Sequence, residues 1–226
     1  MSRHFEKHLP YFTVLEALQQ AEGCPFCALE AESVRRYLGT LLGENVNDPG
    51  VRTKLVDSKG YCCRHSAILL EMEDSLGTAI LCQDQVKLAL KLLDGLETKR
   101  RLLPRDELAA WKRRERCPAC ELQQQDRRRY VEVFVGSLSE EELRAAFEAS
   151  RGLCVPHFVE AWQTTKESHA HEYLIRVQRA KLSDLLGDLQ ELCRKFDYRF
   201  AHEPRGKEAG SWMRAVKMLA GEEGVF

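Results

Sequence analysis

The chain has 226 residues, 44% of them hydrophobic, and a formal net charge of -1. That is enough apolar material for one large core or two small ones, and the near-neutral charge excludes a global field for polyanions. Apolar runs such as Ala67 to Leu70 are far too short to span a membrane, and the charged opening Met1-Ser2-Arg3-His4-Phe5-Glu6-Lys7 has no apolar run behind it, so neither a membrane anchor nor a secretory signal is expected.

A cytoplasmic location is the resulting expectation. In that reducing compartment nine cysteines read as ligands, redox thiols or core residues rather than a disulfide framework.

In chain order, the sequence predicts a short leading helix over about 11–21, then a helix opened by Cys24-Pro25-Phe26-Cys27. Proline is tolerated at a first helical position, which places Cys24 at the cap, where unpaired N–H groups and the helix dipole favour thiolate. Asn47-Asp48-Pro49-Gly50 is a turn ahead of a return helix over about 50–58, and Gly60 breaks that helix before Cys62-Cys63-Arg64-His65 opens the next. A long helix follows near 78–100.

The second half repeats the first. A shift of 93 positions carries Cys24 onto Cys117, Arg35-Arg36-Tyr37 onto Arg128-Arg129-Tyr130 and Gly43 onto Gly136. After one deleted residue a shift of 92 carries Gly60 onto Gly152, Cys62 onto Cys154 and His65 onto His157. The predicted elements are therefore a leading helix over about 105–115, a helix from Cys117-Pro118-Ala119-Cys120, a return helix over about 139–150, one from Cys154-Val155-Pro156-His157, and a long one near 168–197. Tyr130 to Val135 alone suggests a strand, but its counterpart Tyr37 to Leu42 continues a run of helix formers, so both are assigned to helices. In the last helix Leu182, Leu185, Leu186, Leu189, Leu192 and Phe196 keep the spacing of one apolar face.

The fold class is all-α, with two pseudo-symmetric helical repeats packed together. The boundary falls around Leu103-Pro104, giving a first repeat over 1–103, a second over 104–200 and a tail with a short helix over 201–226. Each repeat supplies three cysteines and one histidine, the donor set of a closed tetrahedral zinc site: Cys24, Cys27, Cys62 and His65, then Cys117, Cys120, Cys154 and His157. One site per repeat, two zinc ions per chain, is sterically reasonable. A pairing of the two Cys-Pro-x-Cys motifs with each other stays open.

An iron–sulfur cluster is the alternative cofactor, although the spacing is not a standard ferredoxin series. A glutaredoxin-like dithiol is a further alternative, disfavoured because that motif needs a strand before its helix and Val14 to Ala21 is a helix former. Cys63, Cys82 and Cys193 have no cysteine counterpart and read as core or incidental thiols. His169 and His171 point apart on a helix and are left out of the sites.

The motifs Cys24-Pro25-x-Cys27, Asn47-Asp48-Pro49, Gly60-x-Cys62-x-x-His65, Asp197-Tyr198-Arg199-Phe200-x-x-Glu203-Pro204-x-Gly206 and Ser211-Trp212-x-Arg214-Ala215 together resemble an uncharacterised family of bacterial and archaeal proteins, classed as a domain of unknown function. The resemblance covers most of the chain. It implies a prokaryotic cytoplasmic protein and brings no known reaction. The second repeat departs from the pattern, with Ser137-Leu138-Ser139-Glu140 in place of the Asn-Asp-Pro turn.

Residues 99–129 hold eleven basic and five acidic side chains, and Lys112, Arg113, Arg114 and Arg116 are candidate phosphate contacts for a nucleic acid. A solvated helix face is the commoner meaning of such a run. No nucleophile elbow, phosphate-binding glycine loop or acid/base pair appears, and zinc with four protein ligands has no open position. The expected function is that of a non-catalytic, zinc-stapled interaction or scaffold protein with a protein partner. A thiol-redox or metal-responsive role is the alternative, and a nucleic-acid module comes third.

Overall fold

The computed structural model describes residues 8–98, 108–109, 111, 117–200 and 202–226. Among these residues there are ten α-helices and no strand. They are α1 (Leu9–Gln20), α2 (Pro25–Thr40), α3 (Pro49–Asp57), α4 (Cys63–Glu71), α5 (Ser75–Thr98), α6 (Pro118–Gly136), α7 (Glu141–Ala149), α8 (Val155–Thr164), α9 (Ser168–Lys195) and α10 (Ser211–Ala220). The segment Tyr130 to Val135 is helical, inside α6. The boundary expected near Leu103-Pro104 lies outside the described residues, as does most of the leading helix expected over 105–115.

Local chemistry accounts for the helix ends. Pro49 sits in the first turn of α3 and the Asp48 side chain accepts the Val51 N–H at 2.8 Å, filling one of the orphan donors of a helix start. At its other end Lys59 and Gly60 take left-handed φ values of 61° and 95°, and the Gly60 N–H bonds back to the Leu55 carbonyl at 2.8 Å. That reversal delivers the chain to Cys62.

The chain forms two compact units. Unit 1 comprises Met1–Ala31 with Arg127–Phe226, and unit 2 comprises Glu32–Asp126, so unit 1 draws on both sequence repeats. In unit 1, α1 packs on α7 and buries Tyr11, Val14, Leu15 and Leu18, one face at helical spacing. Beside it Phe26, Phe134 and Phe147 stack edge to face, with centroids 5.4 and 5.1 Å apart.

The buried stripe of α9 corrects the sequence expectation. It includes Leu174, Gln178, Leu185, Asp188 and Leu192, whereas Leu182, Leu186 and Phe196 are exposed. Counting leucines passes over Gln178 and Asp188, which are buried because each has polar partners on neighbouring segments. Asp188 pairs with Lys207 at 3.2 Å and Arg214 at 2.9 Å, and Arg194 pairs with Glu203, so the charged residues of the tail motif dock it onto α9.

Unit 2 has its own core of Val34, Leu38, Leu41, Leu42, Leu55, Ile68, Leu69 and Leu81. There α3 packs on α5, with Arg52 and Asp84 paired at 2.6 Å.

Candidate metal centres

All four lead cysteines stand immediately before a helix, and the carbonyl of each accepts the first helical hydrogen bond. Ala28, Ser66, Glu121 and Phe158 donate to the carbonyls of Cys24, Cys62, Cys117 and Cys154 at 3.1, 2.9, 3.1 and 2.8 Å. Each pair of ligands thus projects from one helix start, i and i+3, so that both side chains meet in front of the unpaired first-turn N–H groups.

The eight residues gather into two clusters, each contained in one unit. Cys24, Cys27, Cys154 and His157 form centre 1 in unit 1, and Cys62, His65, Cys117 and Cys120 form centre 2 in unit 2. This corrects the expectation of one site per repeat, and it is also not the pairing of like motifs: each Cys-Pro-x-Cys meets the Cys-x-x-His of the other repeat. The reason lies in element lengths. From Pro25, α2 and the π-helical Leu41–Asn45 run for 21 residues, about 30 Å, whereas α3 has nine residues and covers about 14 Å. The return helix therefore does not bring Cys62 back to Cys24.

In centre 1 the Nδ1 of His157 lies 3.4, 3.5 and 3.1 Å from the sulfurs of Cys24, Cys27 and Cys154, and Cys27 and Cys154 sulfurs are 3.7 Å apart. In centre 2 the Nδ1 of His65 lies 3.2, 3.4 and 3.4 Å from the sulfurs of Cys62, Cys117 and Cys120, with Cys62 and Cys120 sulfurs 3.6 Å apart. Ligands at about 2.3 Å for sulfur and about 2.0 Å for nitrogen around a tetrahedral ion give edges of roughly 3.5–3.8 Å. The donor sets therefore fit one four-coordinate ion each, and none of the sulfurs is in a disulfide.

The protonation balance is that of a ligand cluster. Burial opposes charge on Cys24, yet hydrogen bonds with Cys154, Cys27 and His157 bring its thiol well below the ordinary value, while contacts with Cys154 and Cys24 push Cys27 up. Burial favours a neutral His157, but Cys154, Cys24 and Glu30 outweigh it and carry its pKa up to about 11. For His65 burial is likewise outweighed by Cys117 and Cys62, and its pKa reaches about 9. A lowered thiol and a raised imidazole thus share a proton at the place where a dication would satisfy all the ligands.

Centre 1 has supports that sequence reading missed. The Nε2 of His157 is 2.7 Å from the Glu30 carboxylate, which also takes Arg127 in a two-pronged pair, both contacts 2.7 Å. Burial raises the Glu30 pKa, but His157 and Arg127 more than offset it and hold the carboxyl below its usual range. A carboxylate on the outer nitrogen fixes Nδ1 as the ligand atom. Arg127 in turn donates to the Val225 carbonyl at 3.1 Å and lies over the Phe226 ring at 4.2 Å, and the Glu222 N–H reaches the Cys27 sulfur at 3.4 Å. Residues 221–226 thereby cover the centre, with Gly221 at a φ of 88° and so close to Phe226 that a Cβ would collide with the ring.

Glu30 offers no local signal in the sequence, since it sits among Ala28, Leu29 and Ala31 like any helix-surface acid. Arg127 looks like one more charge of the basic run. The four basic candidates Lys112, Arg113, Arg114 and Arg116 lie outside the described residues.

An all-helical chain with two Cys3His clusters that could hold metal ions is the class of protein that fold and sites define. Comparison places it further: residues 6–224 match the model of DUF6062, a family of unknown function, and the chain belongs to that family. It is also similar to an uncharacterised 23.9 kDa protein encoded in the xynA 3' region of Caldicellulosiruptor sp. (strain Rt8B.4), 25% identical over 202 residues, which are 88% of this chain and 96% of that protein. No solved structure matches the chain.

Proposed function

We propose that this chain is an intracellular zinc protein without catalytic activity, whose two closed centres staple helix starts together so that the units can present surfaces to a protein partner. One observation carries the reading: each cluster has four soft donors at single-ion spacing, which leaves no position for substrate or water. The spacing also weighs against an iron–sulfur cluster, whose ligands attach to different irons and spread apart. Surfaces of the kind a partner would cover are present in each unit. On α10 Trp212, Val216 and Leu219 are exposed at i, i+4 and i+7, and on α5 so are Val86, Leu90 and Leu93. No described helix is long and apolar enough to cross a membrane.

Elemental analysis of protein purified without added metal tests the metal. About two zinc ions per chain are expected. Iron with acid-labile sulfide, or no metal at all, would refute the reading.

A further inference from the structure

The two centres have the same ligands in the same register, but their supports differ at three places. In unit 1 Gln178 clips the backbone just ahead of Cys154: its Oε1 accepts the Leu153 N–H at 3.0 Å and its Nε2 donates to the Leu153 carbonyl at 2.7 Å. The residue in the corresponding place in unit 2 is Gln85, whose side chain lies beside Gly60 as that of Gln178 lies beside Gly152. Yet both polar atoms of Gln85 are buried without a partner, so Gln85 makes no such clip; the Tyr61 carbonyl instead accepts from the Ser66 hydroxyl at 3.5 Å.

The ligand histidines differ in the same sense. His157 is held by Glu30, whereas the Nε2 of His65 is buried and has no partner. Six residues after Cys117, where Glu30 follows Cys24, stands the neutral Gln123. Covering differs too. All four ligands of centre 1 are buried, whereas Cys62 and Cys120 of centre 2 are partly exposed. The guanidinium of Arg64 lies 3.9 Å from the Cys120 sulfur, a positive neighbour of the kind that marks reactive thiolates.

Resting on the metal-binding reading above, we infer that centre 2 is an oxidation site, one that yields its metal to a peroxide while centre 1 keeps its own. The sulfurs of the partly exposed Cys62 and Cys120, 3.6 Å apart, are in position to react. One thiolate attacks hydrogen peroxide, breaking the O–O bond and taking a proton to release water as it becomes a sulfenic acid. The second thiolate displaces the hydroxyl, which leaves with a proton as a second water, and an S–S bond forms. Two electrons pass from sulfur to peroxide. Only Cys117 and His65 would then remain to hold a bound dication, too few donors for a closed site, and the ion would be released unchanged in charge.

The test uses the full chain with the exposed non-ligand thiols removed, C63S, C82S and C193S, loaded with zinc. Ions are counted first, then released by hydrogen peroxide and followed with a chromogenic chelator, with disulfides mapped by mass spectrometry. Two phases are expected, the first ion leaving at least about 10-fold faster, as the loss of outer-shell partners implies. The first disulfide should involve only Cys62, Cys117 and Cys120. In Glu30→Gln the slow phase should quicken while the fast one stays, given that helicity and ion count are retained. Failure to bind two ions would overturn the metal reading and this inference with it. Two bound ions that leave together, or a first disulfide among Cys24, Cys27 and Cys154, would overturn the inference alone.

Discussion

Replacing Glu30 with alanine probes the support of centre 1. Glu30 is fully buried and its carboxylate takes the Nε and Nη2 of Arg127 and the Nε2 of His157, all at 2.7 Å. The alanine variant leaves a largely buried guanidinium and a buried imidazole without that acceptor, and breaking a buried pair in this way costs about 3–5 kcal/mol. Arg127 keeps the Val225 carbonyl at 3.1 Å and Glu160 at 3.8 Å, which places the cost at the lower end, about 3 kcal/mol. For a chain of this size each kcal/mol lowers the melting temperature by about 2–4 °C, so the zinc-loaded variant should melt roughly 6–12 °C lower in scanning calorimetry. Glu32→Ala, two positions further along the same helix, removes an exposed carboxylate paired with Arg36 and should change stability by less than about 0.5 kcal/mol. A Glu30→Ala shift no larger than that of Glu32→Ala would refute the reasoning.

Three further outcomes are expected. Because Cys27 shares a centre with His157 and not with His65, the double variant Cys27→Ser/His157→Ala should keep one of two ions and Cys27→Ser/His65→Ala none; elemental analysis giving the opposite pattern would restore pairing within the repeats. Gln178→Leu strands the buried N–H and carbonyl of Leu153, at about 1–3 kcal/mol each, and chemical denaturation should show a loss of that order, with no loss counting against the clip. Phe134→Ala empties the middle of the aromatic stack and should cost about 3–5 kcal/mol in the same assay, whereas a smaller loss would mean that the stack collapses around the gap.

What could be read from the chain alone, and what could not, follows the range over which each feature is decided. Cys-Pro at a helix start, Asp48 before Pro49, and glycine at 60 and 152 act within a few residues, so helix order and ligand identity were legible. The duplication rescued Tyr130 to Val135 from a strand assignment because a repeat carries tertiary information that local propensity lacks. Pairing of the ligands was not legible, since it depends on which ends of α2, α3, α6 and α7 are brought together by packing. Nor was the function of Glu30, because Glu30 and Glu32 lie two positions apart on one helix and have opposite burial in the fold.

The same limit explains why the two centres looked equivalent. A duplicated motif makes the ligands alike, but Glu30 against Gln123, and bonded Gln178 against unbonded Gln85, differ through side chains that never touch the ion site directly. Outer partners tune metal affinity by one to two orders of magnitude without altering the ligand set. Divergence of the repeats at those positions therefore costs the fold little at the helix starts, while it leaves two identical donor sets free to hold their ions with different strength.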